Sequence, residues 1–270
     1  MKTHALIVTG YGINAQDELR EAFEIAGAHG EIEHIQNVIE KPELLLKADY
    51  LGFPGGFSFG DHLGSGRVLA NLLLLKLRPL LETFIEQGGL VIGICNGFQT
   101  LVKSGLLPRC GNNLGSPADQ ARNRYETEIA MTPEVSLIHN IQGTFLDTWV
   151  PVEFPENSRC VWTKGLAPRL LPIRHGEGRF VADDAVLDAL ERAGQVAVRY
   201  RDNPNGSMRD IAGICDSTGR VFGLMPHPEA SIHAEVHPDR RRNQENLLGI
   251  DIFINAVAYK ETGLKSCREV

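Results

Sequence analysis

The chain has 270 residues, 43% hydrophobic and 23% charged, a mix long enough to bury a core without disulfide or metal staples. Lysine and arginine number 27 against 34 acidic residues, and the net charge of −7 argues against a broad nucleic-acid-binding face. There is no apolar run of the ~20 residues that cross a bilayer, the opening apolar stretch is too short for a signal peptide, and five scattered cysteines suit neither zinc nor a disulfide framework, so a soluble protein of the reducing cytoplasm is expected, with neither membrane nor nucleic acid as partner.

His4 to Gly10 reads as a first strand, and Asn14 as the cap of a helix to about Ala28, with Leu19, Phe23 and Ile25 at apolar positions. Glu31 to Gln36 alternates as a second strand, Tyr50 to Phe53 forms a third, and the glycine loop FPGGFSFGDHLGSG follows. Val68 to Glu86 predicts a leucine-rich helix that Pro79 ends or kinks. Leu90 to Ile94 is a nearly continuous apolar strand, and Phe98 to Lys103 starts another helix. This order implies a parallel sheet covered on both faces. Residues 110–143 are polar, with a strand expected near Val135 to His139. Strand-like runs follow at 145–154, 169–175 and 195–201, and 211–216 with 220–225 flank Ser217-Thr218-Gly219 as a hairpin. A last helix from about Gln244 to Thr262 is apolar at Leu247, Leu248, Ile250, Ile252, Phe253 and Val257. The expected architecture is a single α/β domain over 1–270: an open, mostly parallel sheet flanked by helices, with an antiparallel extension.

The strongest chemical signal is Gly93-Ile94-Cys95-Asn96-Gly97, where an apolar strand meets a helix. Glycines on either side relieve crowding in such a sharp turn, which presents its central residue at the carboxyl end of the sheet. The helix N-terminus that follows favours negative charge, and the Asn96 N–H can point at an oxyanion. The competing reading of Cys95 is a buried structural thiol. A thiolate nucleophile needs a base and the base an orienting group. His227, in Pro226-His227-Pro228-Glu229, lies in a rigid segment, and Glu229 two residues on projects to the same side; an ordinary surface turn is the alternative. Gly55 and Gly56 could bring backbone N–H groups to a substrate oxygen or simply make a tight turn. Gly10-Tyr-Gly12-Ile-Asn-Ala15, with Glu31 and Glu33 further on, formally fits a dinucleotide fingerprint, but Asn14 sits where a cap is expected. Arg240, Arg241 and Arg242 make a local basic cluster that either faces solvent or meets a partner, and His233 and His237 lack a ligand set for a metal.

Taken together, GICNGFQ, PGGFSFGD, LPIRHGEGRF, DNPNGS and GLMPHPE resemble the family of glutaminase subunits of phosphoribosylformylglycinamidine synthase, which are triad-type (class I) glutamine amidotransferases. The resemblance runs from about Ala5 to Val257. It implies Cys95 as nucleophile, His227 as base and Glu229 as its orienter, with Gly56 and Asn96 as backbone donors to the oxyanion. Ser58, Gln99, Gly176 and Glu177 match segments near the glutamine. It also implies ammonia delivery to a synthetase subunit that uses ATP and magnesium, a small third subunit in some bacteria and archaea, and no cofactor or metal in this chain. The chain exceeds the shortest members mainly through an insertion at 110–139. It departs from the family pattern at Phe59, Thr144, Arg174 and Ala230, none of which is expected to touch the triad. Two readings compete: a stand-alone cysteine amidohydrolase of related α/β fold, which an acidic residue beside the elbow would favour, and a non-enzymatic regulatory module that kept the fold.

Overall fold

The structure is a computed structural model and describes residues 2–109, 134–238 and 248–268, the last five by backbone alone. The chain opens with β1 (His4–Thr9), α1 (Gln16–Ile25), β2 (His29–His34), α2 (Ile35–Glu40), α3 (Leu44–Lys47) and β3 (Tyr50–Phe53). After the glycine loop come α4 (Arg67–Leu72), a π-type turn (Leu73–Leu77), α5 (Arg78–Glu86), β4 (Leu90–Ile94) and α6 (Asn96–Lys103). The second half holds β5 (Val135–His139), β6 (Leu146–Glu153), β7 (Arg169–His175), β8 (Glu177–Ala182), α7 (Asp184–Arg192), β9 (Val196–Tyr200), β10 (Ile211–Cys215), β11 (Val221–Leu224) and α8 (Ile250–Arg268).

Among the described residues, nine strands form one sheet in the order β2-β1-β3-β4-β11-β10-β9-β6-β7. The pairings from β2 to β11 are parallel and those from β11 to β7 antiparallel, as expected of a parallel sheet with an antiparallel extension. Strands β3, β4, β10 and β11 are buried at every residue, because the sheet centre is covered on both faces. The expected strand at Val135–His139 forms, yet it pairs with β8 in a separate two-stranded sheet. On one face of the main sheet, Phe23 of α1 packs against Tyr50, Trp162 and Phe253, with ring centroids 5.3, 6.3 and 5.3 Å away. Among the described residues no helix is long and apolar enough to cross a membrane.

Several expectations are corrected. Asn14 does not cap α1: the N-cap is Ala15, which makes no side-chain cap bond, the N–H groups of Asn14 and Ala15 both donate to the Gly55 carbonyl, and Ile25 is 49% exposed. The second strand is His29–His34, because the His34 ring accepts the Gln36 N–H and caps α2 instead of continuing the strand. The leucine-rich helix expected over 68–86 forms, running from Arg67 to Glu86, and it is kinked ahead of Pro79 as expected, with the π-type turn between α4 and α5. Pro79 sits in the first turn of α5, where its missing N–H is harmless, and the ladder before it widens. Leu69, Leu73, Leu77 and Leu81 nonetheless stay on one buried stripe. The last helix begins at Ile250, with Leu248 before it; positions 244–247, the Arg240–Arg242 cluster and most of the proposed insertion lie outside the described residues. Helix α7 and strand β8 were not anticipated.

Candidate active site

Cys95 stands at the carboxyl end of β4, in the middle of the sheet. It has φ 52° and ψ −106°, a strained conformation for a residue with a side chain. Its N–H is bonded to the Leu224 carbonyl of β11 at 2.8 Å, which clamps the turn to the neighbouring strand. The flanking glycines are sterically required. A Cβ on Gly93 would meet the Gly97 carbonyl oxygen at 2.7 Å, and one on Gly97 would meet that of Phe53 at 1.8 Å. Cys95 is the N-cap of α6, so the first N–H groups of that helix point outward around it.

His227 follows β11, the strand beside β4, and its N–H is bonded to Pro172 of β7 at 2.8 Å. Its Nδ1 lies 2.6 Å from Glu229 Oε1, and the Glu229 side chain is fully buried. Nε2 is buried and has no hydrogen bond of ordinary geometry among the described residues. Burial opposes charge on this ring, but the Glu229 carboxylate, the interaction with Cys95 and the bond to Glu229 together push it up to about 10. The Cys95 thiol donates to the Arg174 carbonyl at 3.7 Å. His175, the next histidine in reach, differs in kind. Its Nδ1 meets Asn140 Oδ1 at 3.1 Å, and burial, helped by the neighbouring His227, lowers it to about 4.

The glycine loop reaches the same place. A Cβ on Gly55 would stand 2.7 Å from His227 Cε1 and 3.5 Å from Cys95 Cβ. The loop is seated on the first βα turn, where Phe57 N–H donates to Gly12 O at 2.8 Å and Phe59 N–H to Tyr11 O at 2.6 Å. A Cβ on Gly12 would lie 2.1 Å from the Phe57 oxygen. The Gly10-Tyr-Gly12 stretch is therefore filled by the chain's own glycine loop and leaves no cradle for a pyrophosphate. Gly56 has φ +145°, which only glycine adopts easily, and neither its N–H nor that of Asn96 has a bonding partner among the described residues.

Behind the elbow lies a polar network. Asn96 Nδ2 donates to both oxygens of Asp61 at 3.1 and 3.3 Å and to Gln99 Oε1 at 3.1 Å, while Asn96 Oδ1 accepts the Ser58 N–H at 3.3 Å. Gln99 Nε2 donates to the Glu177 carbonyl at 2.5 Å, and Gly176 O accepts from Asn140 N–H at 2.9 Å. The structure thus brings Cys95, His227 and Glu229 together, with Asn96 next to the cysteine at the start of α6 and Gly56 one residue beyond the Gly55 that faces the ring. Ser58 and Gln99 bond to the Asn96 side chain and Gln99 to the Glu177 carbonyl, whereas Gly176 bonds to Asn140; Ser58 is buried.

Sequence reasoning missed Asp61 and misjudged Arg174. Asp61 closes the PGGFSFGD run, and an acidic residue ending a glycine loop was the available signal. Its carboxylate bonds to the Asn96 side chain, leaving the histidine to Glu229. Arg174 was expected to lie away from the triad. Its Nη2 is 3.4 Å from His227 Nδ1, because the His227 segment docks on β7.

A strained cysteine at a strand-to-helix turn beside a histidine–glutamate pair, on this sheet, defines a glutamine amidotransferase domain, and residues 2–260 match the family model described as a CobB/CobQ-like glutamine amidotransferase domain. The phosphoribosylformylglycinamidine synthase subunit PurQ of Dehalococcoides mccartyi is 39% identical over 96% of this chain and 98% of its own length, and that of Treponema denticola 37% over 96% and 99%. A chain of the PurLQS structure from Thermotoga maritima superposes with a TM-score of 0.71 at 28% identity, over 96% of this chain and 99% of that one. The chain belongs to the PurQ family, the glutaminase subunits of phosphoribosylformylglycinamidine synthase.

Proposed function

We propose that Cys95, His227 and Glu229 hydrolyse glutamine to glutamate and ammonia, and that the ammonia passes to a synthetase subunit making formylglycinamidine ribonucleotide for purine synthesis. The observation that carries this reading is the buried 2.6 Å contact of His227 Nδ1 with Glu229, on a ring beside Cys95. Glu229 holds the imidazole in one tautomer and leaves Nε2 free for proton transfer. His227 takes the proton of the Cys95 thiol, whose thiolate attacks the side-chain amide carbon, and the N–H groups of Gly56 and Asn96 take the developing oxyanion, where one such donor is worth about 3–4 kcal/mol. His227 gives its proton to the departing ammonia, then takes one from the water that attacks the thioester; collapse releases glutamate and restores the thiol. Gln99, with Asn96 and the 176–177 backbone, shapes the glutamine pocket, and Ser58 anchors the oxyanion loop.

In this reading ATP and magnesium belong to the synthetase, this chain carries neither, the assembly works in the cytoplasm, and a small third subunit joins it in some bacteria and archaea. The test is Cys95→Ser in the full complex. Glutamine-dependent synthesis should fall to background, while added ammonia still supports the synthetase. Retained glutamine turnover in the folded variant would overturn the assignment of Cys95.

A further inference from the structure

The cation at the triad carries an inference of its own. Arg174 is half-buried on β7, and two of its groups face the site. Its carbonyl accepts the Cys95 thiol at 3.7 Å, and its Nη2 is 3.4 Å from His227 Nδ1. The second contact is not an effective hydrogen bond. With Glu229 Oε1 only 2.6 Å away, Nδ1 carries its proton toward the carboxylate and has no lone pair for a guanidinium N–H. What remains is a positive charge placed against the ring. That charge is not cancelled: Asp147 stands opposite Arg174 in the β6–β7 register, yet Arg174 makes no ion pair among the described residues.

The other groups around the ring can be enumerated. Cys95 comes from the elbow, Glu229 from the histidine's own segment, His175 from β7, and Gly55 from the glycine loop without charge. Tyr200 of β9 lies within the field of Cys95, and burial keeps its hydroxyl protonated. Burial also keeps His175 neutral. Glu229 brings a carboxylate to one side of the ring and Arg174 a guanidinium to the other contact of Nδ1.

The geometry points to Arg174 as a positioning residue that offsets Glu229, favouring the deprotonated forms of Cys95 and His227 and so setting the pH range over which glutamine is hydrolysed. The inference rests on the triad reading above. A fixed cation makes proton loss easier for every titrating neighbour, so its removal moves both limbs of a rate profile to higher pH. At this distance, and with solvent screening on a half-buried side chain, the displacement is about half to one pH unit, or about three- to tenfold on the acid limb.

The experiment compares Arg174→Met, which removes the charge and keeps the length, with Arg174→Lys, which keeps the charge. Each full-length variant, bound to its synthetase, is assayed for kcat and KM for glutamine across both limbs. In parallel, alkylation of Cys95 by iodoacetamide is followed against pH from the mass of its peptide. The expected result is that Arg174→Met moves both limbs and the alkylation midpoint upward, and that Arg174→Lys moves them back. Limbs that stay in place overturn the inference. So does a rise in KM alone, which would make Arg174 a binder of the glutamine carboxylate, and so does a uniform loss at every pH with a lower Tm, which would make it structural. Failure of the triad reading looks different: Cys95→Ser would then still hydrolyse glutamine, whatever Arg174 does.

Discussion

Gly55→Ala tests how closely the glycine loop and the His227 ring are fitted. The new methyl carbon would stand 2.7 Å from His227 Cε1 and 3.5 Å from both His227 Nδ1 and Cys95 Cβ. Ordinary carbon contacts are about 3.5–4.0 Å, so ring and loop must separate by roughly 1 Å. The ring has little room to yield, since it is buried and tied to Glu229 at 2.6 Å, and the backbone that carries it donates its N–H to the Pro172 carbonyl. Gly55 does not have positive φ, so alanine itself is not strained there. A misplacement of about 1 Å in reacting groups costs about 100-fold in rate, whereas local overpacking costs about 1–3 kcal/mol of stability. The expected outcome is a fall in kcat for glutamine of about 100-fold, with ammonia-dependent synthesis by the complex unchanged. Steady-state assays with each nitrogen source, beside a thermal melt, measure both. A folded variant with kcat within about threefold of the parent would refute the argument that this glycine exists to admit the imidazole.

Two more predictions concern the scaffold. In Gly97→Ala the added carbon meets the Phe53 carbonyl oxygen at 1.8 Å and its carbon at 2.6 Å, a collision of two backbones; a loss of more than about 3 kcal/mol is expected in urea unfolding, and a loss below about 1 kcal/mol would contradict it. Asp61→Ala removes the acceptor for Asn96 Nδ2 and for the Gly66 N–H at 3.2 Å, so about 1.5–3 kcal/mol of stability and part of kcat should go, with Asp61→Asn keeping most of both; equal effects of the two variants would show that the carboxyl group is not acting as an acceptor.

The elbow was legible because its constraint is local. Two glycines around one cysteine are demanded by contacts within a few residues and with the adjoining β3 strand, and such crowding leaves its mark directly in the chain. The parallel half of the sheet was legible for a similar reason, since strands buried on both faces are continuous apolar runs. What escaped depends on distant partners. Strand β8 exists because β5 pairs with it outside the main sheet, and its alternation is interrupted by Gly178, which lies against the His175 ring. Asn14 has the chemistry of a cap, but the glycine loop far along the chain docks on the Asn14 and Ala15 N–H groups and the helix begins one residue later, with Ala15 at the cap position. Arg174 sits in a strand where a lone charge reads as solvent-facing, and nothing nearby in the chain says that the His227 segment will lie across it.

The parallel pairing of β4 with β11 has a consequence in time. The register runs from Val221 beside Val91 to Leu224 beside Ile94, and the elbow is pinned by Leu224 itself. A chain still emerging from the ribosome therefore carries its thiol long before it carries the strand that pins the turn or the histidine that lies beside it. Through that interval β4 is a bare apolar edge, exposed to pairing with the wrong neighbour. The late closure is a contact between distant parts of the chain, which slows folding. On the triad reading proposed above, a nascent chain cannot hydrolyse glutamine until translation has passed Glu229.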